Sequence, residues 1–142
     1  MMKRILILCL GFMLWASPTL ADDRQVIELT KDQRDRVLTQ MRGFLEAIQD
    51  IVLAVAEEDM EAVKETAEVY GMGHHSHPGQ RGLGVGRIAP MEFRQMGRGT
   101  HVAFDELAQA AEFGPQMVLE ELGVLMSNCT GCHATFQIVE KP

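Results

Sequence analysis

Apolar residues recur at steps of three and four along four separate stretches of this chain, and that periodicity limits what the chain folds into more than any other feature. Thr30-Lys31-Asp32-Gln33 has the form of a capping box, in which a threonine hydroxyl and a glutamine side chain reciprocally satisfy free amides at a helix start. Val37, Leu38, Met41, Phe44, Leu45, Ile48, Ile51, Val52 and Val55 then mark one amphipathic helix. A break at Glu57-Glu58-Asp59 precedes a second, along Met60, Val63, Ala67 and Tyr70, with Asp59 as its cap and Gly71 as its stop. Residues 71 to 89 are rich in glycine, contain Pro78 and read as a long surface loop. Pro90 suits a first helical turn, where its missing amide donor costs nothing, and Phe93, Met96, Thr100, Phe104, Leu107 and Ala111 trace the third helix as far as Gly114. Pro115 restarts the chain, and Val118, Leu122, Leu125, Cys129, Cys132 and Phe136 mark the fourth, with both cysteines on its buried face. No stretch reads as a half-buried strand of period two. The expectation is an all-α, antiparallel four-helix bundle.

Ahead of this lies a different kind of segment. Lys3 and Arg4 lead into an apolar run from Ile5 to Trp15, followed by small residues ending in Thr19-Leu20-Ala21. This is the layout of a secretory signal peptide over residues 1–21, cleaved near Ala21, with residues 22–142 as one mature domain. The run is too short to span a bilayer, and the mature chain has no other candidate span. Cys9 leaves with the signal, and export to the periplasm is expected. The formal charge of −7 becomes about −9 once Lys3 and Arg4 are removed. That acidity argues against nucleic acid and anionic lipid as partners and is compatible with a basic protein.

Two cysteines remain, in a compartment where neighbouring thiols are normally consumed. Cys129-Thr130-Gly131-Cys132-His133 matches the haem attachment pattern C-x-x-C-H. Positions i, i+3 and i+4 share one helix face, so both thiols reach the two vinyl groups of one porphyrin while His133 rises toward its iron. Thr130 and Gly131 point away, and their small size lets the porphyrin edge approach the backbone. Three other readings compete. A thioredoxin-like pair wants a helix N-terminus that lowers the thiol pKa. A structural zinc site wants further ligands, for which only the loop histidines are candidates. A plain disulfide leaves His133 without a role.

With this motif in the last helix and four helices over nearly the whole mature chain, the sequence resembles the class II cytochromes c, the cytochrome c prime-like family. The resemblance implies one covalent haem c, thioether links at Cys129 and Cys132, and His133 as the proximal iron ligand. It further implies a periplasmic electron carrier working with redox partner proteins and no acid, base or nucleophile. A five-coordinate haem protein binding nitric oxide or carbon monoxide is the alternative within the family. Its six-coordinate members place a methionine of the first helix on the iron, shortly after an arginine, and Arg36 with Met41 looks similar, one residue further apart. Leu38 is the rival occupant of that face, and leucine there implies an open site. Members of the family are often dimers through their first two helices, which leaves a homodimer open to this chain.

Four further features stand beside these. Phe104 falls where the family sets an aromatic against the porphyrin, and is equally an ordinary core residue. His101 reads as a hydrogen-bonded residue at the helix surface or pocket edge, with axial ligation as its other role. His74, His75 and His77 suit copper, nickel or zinc as imidazole donors or else stand solvated in the loop, and a metal-handling role with a structural haem follows from the former. Arg81 and Arg87 suit a haem propionate or plain exposure.

Overall fold

The computed structural model describes residues 22–73, 85 and 88–142. Its order is β1 (Gln25–Leu29), α1 (Lys31–Ala56), α2 (Met60–Tyr70), α3 (Met91–Ala110), a single 3-10 turn (Ala111–Phe113), α4 (Pro115–Thr135) and β2 (Phe136–Glu140). The segment expected to be a signal peptide, the loop histidines His74, His75 and His77, and Arg81 and Arg87 lie outside the described residues.

Local chemistry sets each helix boundary. Thr30 Oγ1 accepts from the Gln33 amide at 3.4 Å and Gln33 Oε1 accepts from the Thr30 amide at 3.1 Å, which completes the capping box of α1. At its other end the amides of Glu58 and Asp59 donate back to the carbonyls of Val55 and Ala54, with Glu58 in the left-handed region at φ 57°. This is a Schellman closure with glutamate where glycine is usual. Asp59 Oδ1 accepts from the Ala62 amide at 3.0 Å and opens α2. α2 ends at Gly71, where the Asp105 carboxylate of α3 presses close and accepts from the Met72 amide at 3.0 Å. α3 tightens into a 3-10 turn before Gly114, whose φ of 97° makes the corner that Pro115 follows.

The helices pack in sequence, α1 on α2, α2 on α3 and α3 on α4, while α1 and α4 meet only sparsely. Neighbours run in opposite directions. Lys64, early in α2, pairs with Glu112 just past α3 at 3.5 Å, whereas Tyr70, late in α2, stacks on Phe104 with ring centroids 5.3 Å apart. A large core of Phe44, Ala47, Ile51, Val63, Phe104, Leu107, Val118, Leu122 and Leu125 fills the middle and one end. A second cluster of Ile27, Leu29, Val37, Val85, Ala89 and Phe136 fills the other end.

Two expectations are corrected. The chain is not purely helical: β1 and β2 form a parallel two-stranded sheet in register from Gln25 opposite Phe136 to Leu29 opposite Glu140. Ile27 and Leu29 alternate inward from β1, and the helix before β2 stops at Thr135, so Phe136 enters the core from a strand. β-Branched Ile138 and Val139 suit that extended backbone, and each strand satisfies the other's amides. Nor does every apolar position of α1 face inward. The buried stripe is Val37, Phe44, Ala47, Ile51 and Ala54, whereas Leu45 is 68% exposed and Val52 46%.

Candidate functional site

The cysteine motif occupies the last two turns of α4. Cys129 and Cys132 are unbridged, and both are half-buried. The Cys129 thiol donates to the Leu125 carbonyl at 3.5 Å, and Cys132 packs against the end cluster beside Phe136. Burial pushes both thiols above their ordinary pKa, and for Cys132 the nearby Cys129 adds to the rise. These are not thiols prepared for exchange chemistry. An oxidoreductase pair sits at a helix N-terminus where the dipole stabilises thiolate, while these stand at a C-terminus, whose dipole opposes it. The zinc reading depends on His74, His75 and His77, outside the described residues. Among the described residues no three His, Cys, Asp or Glu side chains converge as a metal site.

His133 is exposed, and its ring has no hydrogen-bond partner among the described residues. Its backbone is held. Arg24 Nη1, on the approach to β1, donates to the His133 carbonyl at 3.2 Å, and Asp22 grips the same guanidinium through Nε at 2.8 Å and Nη2 at 2.6 Å. The guanidinium holds the Asp22 carboxyl down at about 2. Asp22 and Arg24, just ahead of β1, thereby fix the end of α4 that carries the motif. Nothing local in the sequence signals this contact, which spans more than a hundred residues.

The helices on either side set the surroundings. Asn128 and Gly131 face α3: a Cβ on Gly131 would stand 3.7 Å from the Met96 methyl, and one on Gly99 would stand 3.9 Å from the Asn128 amide. A Cβ there would make only an ordinary van der Waals contact, so packing against α3 does not itself require glycine at Gly131. Thr130 and Thr135 turn their hydroxyls onto carbonyls one turn back, those of Ser127 and Gly131. With 3.6 residues per turn, Leu119, Met126 and His133 fall on the flank of α4 turned away from α3. On α1, Gly43 abuts Tyr70 of α2, and Leu38, Met41, Leu45, Ile48 and Val52 fall on the flank turned away from α2. These two flanks border the seam between α1 and α4. Leu119 and Met126 are each 48% exposed, so both walls of the seam are apolar and incompletely covered.

Met41 is half-buried where the two clusters join, and packs against both; Cys132 packs against one of them. Leu38 is half-buried one turn earlier on the same flank. Phe104 is fully buried among Phe44 and Tyr70, as a core aromatic. His101 is engaged at both nitrogens. Nδ1 lies 2.6 Å from the Tyr70 carbonyl, which only accepts, so Nδ1 carries the proton and Nε2 accepts from the Gln40 amide nitrogen at 3.3 Å. That holds His101 as a hydrogen-bonded bridge between α1, α2 and α3.

The donor set fits a c-type haem. Two unbridged thiols sit one turn apart beside an exposed imidazole, and the adjoining seam has apolar walls that would suit a porphyrin face. No protein-family model, curated protein or solved structure matches the chain.

Proposed function

We propose that the chain is an exported c-type cytochrome of the class II kind, carrying one haem on α4 and transferring electrons to and from redox partner proteins. The observation that carries this reading is the pair of unbridged, half-buried thiols, one helical turn apart, with exposed His133 directly after the second. Cys129 and Cys132 would hold a haem by thioethers, each formed by adding S–H across one vinyl group, sulfur to the inner carbon and hydrogen to the outer, with no oxidant required, and His133 would supply a nitrogen to its iron. A bound haem supplies a one-electron iron couple. Arg24 fixes the backbone beneath His133, and the apolar flanks of α1 and α4 exclude water. Met41 is the residue proposed to supply a second iron ligand. Half-buried Leu38 on the same flank favours the second reading, an open site that binds nitric oxide or carbon monoxide.

Mass spectrometry of the protein made in a host with a haem-ligation system tests the central claim. The mature chain should carry the added mass of one haem. Cys129→Ala or Cys132→Ala should weaken attachment and the double variant abolish it, while His133→Ala should keep the haem and shift the Soret band. A mature chain of bare polypeptide mass would sink the proposal.

A further inference from the structure

The ionisable side chains are divided unevenly along the bundle. Residues 43–73 and 103–123 form the half remote from the motif and hold thirteen Asp and Glu against one basic residue, Lys64. The half containing the motif comprises residues 22–42, 88–102 and 124–142, and holds seven acids against eight Lys and Arg. Among the described residues, the net acidity therefore resides almost wholly at one end. At the other, Asp22 is taken up by Arg24 and Asp35 by Lys31. Arg94 and Arg98, one turn apart on α3, are exposed and form no ion pair among the described residues.

We propose that the end of the bundle bearing Cys129, Cys132 and His133 is the docking face for an acidic surface of a redox partner protein, with the remote acidic end acting as a repelling tail that orients the encounter. This rests on the haem reading of the motif. α1 is roughly 39 Å long at 1.5 Å per residue, which puts the centres of the two halves about 20 Å apart. The Debye length is about 10 Å at 0.1 M salt, so a partner at the motif end meets the local arginines and only a screened remnant of the remote charge. A basic partner, which net charge alone suggests, would settle on the remote end with the motif out of reach. An acidic partner is turned away there and admitted where the electron leaves.

Two measurements test this, and only one of them needs haem. In about 0.1 M salt, the paramagnetic anion hexacyanochromate(III) should broaden amide signals in the first turns of α1 and α3 and the last turn of α4, leaving α2 and the C-terminal half of α1 sharp. Absence of broadening at the motif end, or equal broadening at both, overturns the assignment whether or not haem is attached. In the haem-loaded protein, one electron passes from ferrous iron to ferricyanide. That rate should fall as salt rises above 0.1 M, drop at least threefold in Arg94→Glu/Arg98→Glu, and change less than twofold in Glu61→Lys/Glu65→Lys. A rate that climbs with salt, or moves equally in both variants, overturns it. A chain without haem that still gathers the anion at the motif end keeps this surface and refutes the haem reading, while a haem-loaded chain with no anion preference does the reverse.

Discussion

At the scale of single residues, the two thiols distinguish the readings of the motif. The thiolate is the reactive form, and burial disfavours it at both cysteines. In haem-free protein, the thiolate fraction at pH 7 is therefore below that of an ordinary cysteine. Iodoacetamide should label Cys129 and Cys132 slowly at pH 7, faster as pH rises, and at full rate only above the raised pKa. Because the folded state holds these protons more tightly than the unfolded chain, their stabilising contribution is complete below the unfolded pKa and is lost as pH rises through the folded one. An oxidoreductase pair behaves oppositely, with a thiolate already reactive at pH 7, so rapid labelling there would reverse the assignment. The placement of Cys129, Cys132 and His133 on the last turns of one helix was legible directly, because it depends on local spacing. Arg24 was not, because its partner is a backbone carbonyl at the other end of the chain.

At the scale of elements, helix ends carried the clearest signal. The Thr30 and Asp59 caps rest on side chains acting within three residues and Pro115 on its own ring, whereas the stop at Gly71 is also held by Asp105 from α3. The strands escaped because each is five residues long and its partner lies at the opposite terminus. β1 offers only Ile27 and Leu29 as alternation, and Phe136 falls on the three-and-four spacing of α4, so it reads as one more helical position. Pairing, not propensity, makes these segments strands. The turn between α1 and α2 gives a prediction of its own. Glu58 occupies the left-handed region that costs an L-residue about 1–2 kcal/mol, and part of this is offset by the greater chain entropy glycine loses on folding. Glu58→Gly should therefore stabilise the fold by about 1 kcal/mol and raise the melting temperature by about 3–6 °C. An unchanged or lower melting temperature would show that the glutamate side chain compensates for its backbone.

At the scale of the whole molecule, the order of helix packing decides what lies opposite the motif. Because α1 packs on α2 and α4 on α3, the flanks left over on α1 and α4 face one seam, and Met41 and His133 fall on its two walls. Periodicity made the apolar width of α1 legible but not its division into a buried stripe and an open flank, since Leu45 and Phe44 look alike in sequence. That division bears on Met41, the residue proposed as a second iron ligand. Met41 is half-buried at the inner edge of the flank, where the end cluster holding Cys132 meets the main core, whereas Leu45 stands further out. Thioether ligation favours ferrous iron and raises the potential. Met41→Ala in the haem-loaded protein should accordingly lower the reduction potential and open the iron to rapid carbon monoxide binding, which the native protein should resist. Leu38→Ala, one turn away on the same flank, should leave both properties near native values. Should the native protein bind carbon monoxide at once in a high-spin ferrous state that Met41→Ala does not alter, the methionine is a core residue only, and gas binding becomes the function the seam supports.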